Sequence, residues 1–262
     1  MGNLDFSINL SCMSLTCGQK PEYPERTHAN TGRTCKLHAN APIDGDQSEK
    51  ELHFGNISPR LRRNADPCTY THCKWPGGHY IIVPFKISAS YTSAEHESIT
   101  RGLLSFHEST CIRFVPKTLN DMDYLYFFSG DRCSSKVGRR GGKQEISLKK
   151  SRCLNISTVQ HEVLHALGFR HEHSRSDRDK HVYIHTENIK PGHKHNFKKV
   201  QTNNLGTTYD FKSVMQYTKH AFSRNRSPTI LARSSHKLDF GDAKQMSAND
   251  IARVNRLYKC SK

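Results

Sequence analysis

The sequence of 262 residues has no apolar stretch near the roughly 20 residues that a membrane-spanning helix requires, so it predicts a protein that does not span a bilayer. The N-terminal stretch MGNLDFSINLSCMSLTCGQK also lacks the apolar core of a secretory signal peptide, and therefore gives no export address. With 34% hydrophobic residues, the chain can bury one substantial core, or one core plus an accessory segment. Several independent domains are not expected.

Acidic residues are few: 24 Asp and Glu stand against 40 Lys and Arg, a formal net charge of +16. Such a charge favours an acidic partner, whether nucleic acid, an anionic matrix or an acidic protein. The basic residues cluster in GRRGGKQ, LKKSR and IKPGHKHNFKK, although clusters of this kind are usually solvated faces. No zinc-knuckle, RNP-like or basic-zipper pattern accompanies them, so nucleic-acid binding is not expected.

Paired CxxC motifs are absent, and the nine cysteines cannot all pair within one chain because their number is odd. Cys12, Cys17 and Cys35 lie in a polar N-terminal stretch, and six others lie in the patterned remainder. The basic run RLRR, at 60–63, separates the two groups. Trypsin-like and furin-like proteases cleave such runs, although an exposed basic loop is the alternative.

Cleavage at this run would divide the chain into a propeptide region, residues 1–63, and a catalytic domain, residues 64–262. The six cysteines left in the second part resemble a disulfide set, which predicts an oxidising compartment and an extracellular location. Asn56 and Asn155 each begin an N-I-S glycosylation sequon, in agreement with secretion.

Short β-rich runs and one amphipathic segment occupy the first half of this domain. HYIIVPFKI, CIRFVP, DYLYFFSG and QEISL predict strands, and residues 93–108 predict a helix with Ser93 as its N-cap. Together they indicate a small sheet with a helix packed on it.

Two further helices have marked ends. In STVQHEVLHALG, Ser157 and Gln160 match a capping box and Gly168 is a helix stop. In SANDIARVNRLYKC, Ser247 and Asp250 form a second capping box.

The segment HEVLHALGFRH, which begins at His161, carries the chemistry. His161 and His165 are four residues apart, so on a helix their imidazoles lie on one face and can converge on one ion. Catalytic zinc takes three protein ligands and leaves a position for water. A glycine at 168 would break the helix in a left-handed conformation and let His171 turn back towards the metal. Glu162 would lie close enough to accept a proton from the water without becoming a ligand.

A surface histidine cluster and a purely structural zinc site are the alternatives for this group of histidines. A structural site would be closed by a fourth ligand and would not need a glutamate beside the first histidine.

H-E-x-x-H-x-x-G-x-x-H, followed downstream by a methionine turn, is the pattern of the metzincins. HEVLHALGFRHEHSRSDRD followed by SVMQY (213–217) closely resembles the astacin family of zinc endopeptidases over residues 64–260. NADPC and CKW further resemble the fish hatching enzymes, or choriolysins, within it. The resemblance implies a two-lobed α+β metzincin domain, with an active-site cleft between a sheet-bearing N-terminal lobe and an irregular C-terminal lobe that ends in a helix.

The resemblance also implies roles for individual residues. One zinc ion would be held by His161, His165 and His171, with Glu162 activating the water. Tyr217 would be a further zinc ligand that swings away to stabilise the oxyanion, and Met215 would lie beneath the metal. Taken alone, Met215 and Tyr217 are equally typical of an ordinary core.

A latency mechanism is implied as well. Asp46, in IDGD, would occupy the zinc before activation, although the family has phenylalanine where this chain has Ile43, and an ordinary turn accounts for IDGD equally well. After cleavage, the new N-terminus at Asn64 would pair with Glu172, which otherwise reads as a solvent-facing carboxylate.

Six cysteines allow 15 pairings, and sequence alone selects none. The resemblance implies Cys111–Cys260, Cys133–Cys153 and Cys68–Cys73. It also places four charged residues after the zinc motif, which we interpret as a structural salt-bridge network: Arg175, Asp177, Arg178 and Asp179.

The expected function is that of a secreted zinc endopeptidase, made as a latent precursor and activated by a trypsin-like or furin-like protease. Its expected substrate is extracellular structural protein. Egg-envelope protein is the leading candidate, and general matrix or haematopoietic-tissue substrates are the alternatives. A catalytically silent zinc-containing binding module and a basic adhesion protein are the alternatives from other functional classes.

Overall fold

The computed structural model describes residues 65–261. Its larger sheet has five strands in the order β2-β1-β3-β5-β4. These strands are β1 (Ile81–Ile87), β2 (Ile112–Pro116), β3 (Tyr124–Phe128), β4 (Ser134–Ser135) and β5 (Lys143–Ser147). β4 runs antiparallel to β5, and the other neighbours are parallel.

Three α-helices occur in the described part of the chain: α1 (Ser93–Leu104), α2 (Ile156–Ala166) and α3 (Ala248–Tyr258). A small antiparallel sheet pairs β6 (Val182–Ile184) with β7 (Ile230–Ala232). Short 3-10 helices lie at Pro67–Tyr70, Glu172–Ser174, Arg178–Lys180, Thr186–Asn188 and Lys194–Phe197. None of the helices described is long and apolar enough to cross a membrane.

The large sheet buries one face under α1 and α2. Side chains alternate along its strands, so Ile81 and Val83 of β1 and Phe127 of β3 enter the core while Ile82 is exposed. α1 is the crossover between the parallel strands β1 and β2. The predicted sheet with a helix packed on it is therefore present.

α1 and α2 pack closely because α1 carries a glycine at their contact. A Cβ atom on Gly102 would lie 2.6 Å from Cγ1 of Val159 in α2, a separation that real Cβ atoms essentially never show. A larger residue at 102 would push α2, and with it the histidines that α2 carries, away from the sheet.

Two predicted helix starts were wrong. α1 is capped by Thr92, whose hydroxyl accepts from the Glu95 backbone, rather than by Ser93, and it ends at Leu104 rather than at residue 108. α2 is capped by Asn155, whose Oδ1 accepts a 2.8 Å hydrogen bond from the Thr158 N–H. In both cases a polar residue upstream of the predicted cap reaches the free N–H groups of the first turn.

Gln160 has a different role from the predicted cap. It is buried, its Oε1 accepts from the Met246 N–H and its Nε2 donates to Ser105 Oγ, so it joins α2 to the chain before α3 and to the end of α1. The capping box at the start of α3 is confirmed, with Ser247 as N-cap and Asp250 as its partner.

The C-terminal half has its own smaller core beneath β6 and β7, which includes Val182, Phe197 and Ile230. α3 returns to the main core, where Val254, Leu257 and Tyr258 are buried. The three disulfides that the resemblance implied are those of the structure: Cys68–Cys73, Cys111–Cys260 and Cys133–Cys153. The Cys111–Cys260 disulfide joins the end of α3 to the start of β2.

Candidate active site

Three imidazoles converge at the end of α2. His161 and His165 lie one helical turn apart, and His171 returns from beyond the helix. Nε2 of His171 is 3.2 Å from Nε2 of His161 and 3.2 Å from Nε2 of His165. In the described part of the chain, this is the only group of His, Cys, Asp or Glu side chains whose donor atoms lie close enough together to hold a metal ion.

Gly168 makes the return possible. Its φ is +105°, a region that favours glycine, and an added Cβ would lie 2.5 Å from Cγ2 of Thr69. The predicted function of this glycine as a helix stop is confirmed.

The last carbonyls of α2 and its C-cap all receive donors. The His165 carbonyl accepts from the Gly138 N–H at 2.8 Å, the Ala166 carbonyl from Trp75 Nε1 at 3.0 Å, and the Leu167 carbonyl from the Tyr258 hydroxyl at 2.9 Å. The His165 carbonyl also accepts from the Gly168 N–H at 2.9 Å, whereas the other two carbonyls rely on these side-chain donors, so the contacts help to fix the point at which the helix stops.

Backbone carbonyls orient two of the rings. His161 Nδ1 lies 2.7 Å from the Val214 carbonyl, and His165 Nδ1 lies 2.8 Å from the Phe169 carbonyl. A carbonyl oxygen only accepts, so each Nδ1 carries the hydrogen and each Nε2 presents its lone pair to the common centre. Burial lowers the pKa of all three histidines, that of His165 to about 3, which keeps the rings neutral and able to bind a cation.

Glu162 lies beside this group and is buried. Its Oε2 has no hydrogen-bond partner among the residues described. Burial raises its pKa to about 8, since the ionised carboxylate is poorly solvated there. Because this carboxylate oxygen is buried, unpaired and beside the three histidines, it can accept a hydrogen bond from a ligand such as water.

The turn that contains Met215 supports the site through its backbone as well as its side chain. Met215 is only 1% exposed, and its carbonyl accepts from the Glu172 N–H at 2.9 Å. Its neighbour Val214 supplies the carbonyl that orients His161. Asp250, from α3, holds the turn in place, since its carboxylate accepts from the Val214 N–H at 3.0 Å and from the Ser213 hydroxyl at 2.6 Å.

The sequence predicts Asp250 only as part of a helix cap. Its second role, in positioning the methionine turn, has no signal in the sequence because the two segments are 36 residues apart along the chain.

Tyr217 stands at the edge of the histidine group. Its ring centre is 4.5 Å from that of His171 and 4.0 Å from that of His173, with which it is stacked. Burial, followed by the nearby Glu162 carboxylate, raises the pKa of Tyr217 to about 12, so the phenol stays protonated and able to donate. In the residues described, its hydroxyl has no hydrogen-bond partner.

Glu172 is fully buried, so the alternative of a solvent-facing carboxylate is wrong. It binds both Arg253, at 2.7 Å, and Arg175, at 3.0 Å. Arg175 also pairs with Asp177, and Arg178 with Asp179, which confirms the predicted salt-bridge network. This network ties the segment after His171 to α3.

An open cleft of about 390 Å³ runs past His161, Glu162 and Tyr217. Its remaining lining is mostly small or apolar and includes Val214, Ala221 and Phe222. A peptide chain in this cleft would therefore pass beside His161, Glu162 and Tyr217.

Comparison with known proteins identifies the family. The sequence profile of the astacin peptidase family matches residues 68–259. This chain belongs to the astacin family. The low choriolytic enzyme of Oryzias latipes is 42% identical over 219 residues, which cover 82% of this chain and 80% of that protein.

The solved structure of high choriolytic enzyme 1, a hatching-enzyme zinc-protease from Oryzias latipes, matches with a TM-score of 0.73 at 40% identity. The match covers 76% of this chain and all of that one. Myroilysin, at 18% identity and a TM-score of 0.54, shares the fold. The predicted α+β metzincin fold is confirmed.

As an astacin, the chain is a metalloendopeptidase that acts on protein substrates and uses zinc. The three imidazoles fit that ion, because neutral nitrogen donors arranged in this way are typical zinc ligands. Asp46, Asn64, the RLRR run, Asn56 and the first three cysteines lie outside the described residues.

Proposed function

We propose that this astacin is a secreted enzyme made as a latent precursor, and that it cleaves extracellular structural protein, with egg-envelope protein as its first substrate. The observation that carries the catalytic part is the convergence of three Nε2 atoms beside the orphaned oxygen of Glu162. The substrate is proposed because choriolytic enzymes are among the relatives of this chain.

His161, His165 and His171 would hold the zinc ion, one per subunit. When bound, zinc polarises the scissile carbonyl, lowers the pKa of an adjacent water and favours the ionised form of Glu162. Val214 and Phe169 keep two of the rings oriented through their carbonyls, so little reorganisation is needed on binding.

Glu162 would act as the general base. It takes a proton from the attacking water and later delivers it to the nitrogen of the leaving amine. Its carboxylate is almost fully buried, and the lower local dielectric strengthens its interactions with nearby charges.

Tyr217 would donate a hydrogen bond to the oxyanion of the tetrahedral intermediate, as well as being able to reach the zinc in the resting enzyme. A protonated phenol without another partner is available for this purpose. The stacked ring of His173 limits where Tyr217 can go.

Latency would depend on residues 1–63, with Asp46 occupying the zinc and cleavage after Arg63 releasing Asn64. The buried pairing of Ala65 with Asn203 supports this proposal, since the chain enters the folded interior one residue beyond the new N-terminus. The ammonium of Asn64 would then join the buried network of Glu172.

The test uses the full-length chain, treated with trypsin, beside a Glu162→Gln variant prepared in the same way. We expect zinc in both proteins, and cleavage of a casein-type substrate by the first alone, abolished by a chelator such as phenanthroline. Equal turnover by the two would indicate a contaminating protease and favour a silent zinc-binding module.

The substrate is tested separately by incubating the activated enzyme with isolated egg envelope. Swelling or solubilisation is expected, and the Glu162→Gln protein is the control for non-enzymatic effects. Casein cleavage without any effect on the envelope would reject the envelope as substrate and favour general matrix proteins.

A further inference from the structure

A second cavity, of about 420 Å³, lies outside the active-site cleft, between the loop closed by Cys68–Cys73 and the last turn of α3. We propose that it binds the sulfate groups of a polyanionic glycan and so retains the enzyme on an extracellular matrix. The biological purpose rests on the proposed extracellular function, but the binding itself does not depend on catalysis. We call this cavity the anion subsite.

The lining of the anion subsite is strongly basic. Five of the ten described residues that line the subsite are basic, and none of these ten is Asp or Glu. The basic residues are His72, Lys74, Arg139, Arg256 and Lys259. A concave surface lined by one sign of charge focuses the field and raises the local concentration of counter-ions.

Most of this charge is not neutralised by the protein. Arg139 pairs with Asp123, but Lys74, Arg256 and Lys259 have no carboxylate partner in the described part of the chain. The carboxyl end of α3 adds about half a negative charge near Lys259, which is small beside three unpaired cations.

A second basic groove also has three cations without a carboxylate partner among the described residues: Lys194, Lys198 and Arg233. Its lining includes Asp179, which pairs with Arg178 and Lys199. A carboxylate in the lining would repel an oxyanion, and none of the described residues that line the anion subsite is Asp or Glu, so the anion subsite is the stronger candidate.

The subsite is also held in shape. The Arg139 N–H donates to the Cys73 carbonyl at 2.7 Å, and the Arg139 Nε donates to the Lys74 carbonyl, so the disulfide loop and the 139 segment are joined. On the opposite wall, Arg256 Nη1 donates to the Leu205 carbonyl at 2.7 Å. The other guanidinium nitrogens of Arg256 remain available for a forked contact with an oxyanion.

The lining favours a sulfated sugar over an acidic peptide. Tyr70, which is 62% exposed, offers a ring against which a sugar can pack, and the exposed Thr71 follows it. The volume lies within the range of small-molecule sites and suits a short oligosaccharide rather than a protein surface.

The subsite shares no lining residue with the cleft that contains His161 and Glu162. Binding there is therefore expected to leave the hydrolysis of a small peptide unchanged. This separation allows binding and catalysis to be measured independently.

The experiment measures the affinity of a heparin hexasaccharide at physiological ionic strength, using trypsin-activated protein that carries Glu162→Gln to prevent self-digestion. The test variant is Lys74→Gln with Lys259→Gln. The matched control is Lys86→Gln with Lys244→Gln, which removes the same formal charge at exposed lysines outside the subsite.

We expect the test pair to weaken binding about tenfold or more, since two charge-assisted contacts are lost, and the control pair to weaken it less than about twofold. Equal weakening by both pairs would mean that the net charge alone attracts heparin, and it would overturn the proposal. If the double variant folds poorly, Lys259→Gln alone is the test, because Lys259 is exposed and has no carboxylate partner among the described residues. A loss of heparin affinity no larger than that of the control pair would again overturn the proposal.

Polyglutamate of matched charge is the competitor. Displacement of heparin by polyglutamate at equal concentration would reject the glycan in favour of an acidic polypeptide. The same lysine variants, prepared with Glu162 intact, should hydrolyse a small fluorogenic peptide at the rate of the unsubstituted enzyme. A failure of the proposed protease function would therefore be seen in this assay and not in the heparin measurement.

Discussion

Asp250 is expected to control both the stability of the fold and the affinity for zinc, although it lies outside the histidine group. Its Oδ2 accepts from the Val214 and Ser247 N–H groups, each at 3.0 Å, and its Oδ1 accepts from the Ser213 hydroxyl. Asp250→Asn preserves the shape of the side chain and removes the charge.

The expected loss can be worked from these contacts. An asparagine oxygen at the Oδ2 position can keep both N–H donors, but each bond becomes a neutral one. A hydrogen bond to a charged group contributes about 1 kcal/mol more than a neutral one. Two bonds become neutral, the amide nitrogen that replaces Oδ1 cannot accept from the Ser213 hydroxyl, and the buried ion pair with Arg253 at 3.5 Å is lost. The free energy of unfolding should therefore fall by at least roughly 3 kcal/mol. This is a large part of the stability of an ordinary domain.

The effect on zinc follows through the backbone. Val214 lies between Asp250 and His161, because its N–H is held by the first and its carbonyl orients the second. Loss of a direct partner of a metal-binding histidine typically costs roughly 10-fold to 100-fold in affinity, and Asp250 acts one bond further away, so we expect about a tenfold weakening.

The assay is urea unfolding at two fixed levels of free zinc, with zinc affinity measured by competition with a chelator. Two zinc levels separate the intrinsic stability from the contribution of binding. Every protein carries Glu162→Gln, and Asp242→Asn, an exposed aspartate shortly before α3, is the matched control. If Asp250→Asn unfolds within about 1 kcal/mol of that control and binds zinc equally well, the positioning role is wrong.

Three further outcomes are expected. Tyr217→Phe should lower kcat by about 100-fold or more with little change in KM, because it removes one oxyanion donor; an unchanged kcat on a fluorogenic peptide would contradict that role. Replacing the Cys111–Cys260 bridge with serines should destabilise the protein by about 3 kcal/mol more than replacing the Cys68–Cys73 bridge, since the first closes 149 residues and the second only 5. Equal urea midpoints for the two would refute the chain-entropy argument. The carboxyl of Glu162, with a pKa of about 8 in the fold and an ordinary value of 4.5 when unfolded, holds its proton only in the folded state across that window. The metal-free protein should therefore lose stability from pH 4.5 to 8 relative to Glu162→Gln, and parallel curves for the two would exclude it.

The local sequence was sufficient for the chemistry at the end of α2. The spacing of His161, His165 and His171 around Gly168 predicts three converging imidazoles, because helix geometry and one left-handed residue set their directions. Four of the five strands of the large sheet and the cap of α3 were also predictable, since strand patterns and capping depend on residues close together in the chain; the two-residue strand β4 was not predicted.

Only the tertiary structure decided how these groups are held. Asp250 reaches Val214, the Trp75 ring closes the end of α2, and Glu172 is buried against Arg253 of α3 rather than exposed. The cations of the anion subsite likewise come from three separate segments. Each of these contacts joins residues whose separation along the chain carries no periodic signal, so a pattern in the sequence cannot specify it, and packing around the shared core does.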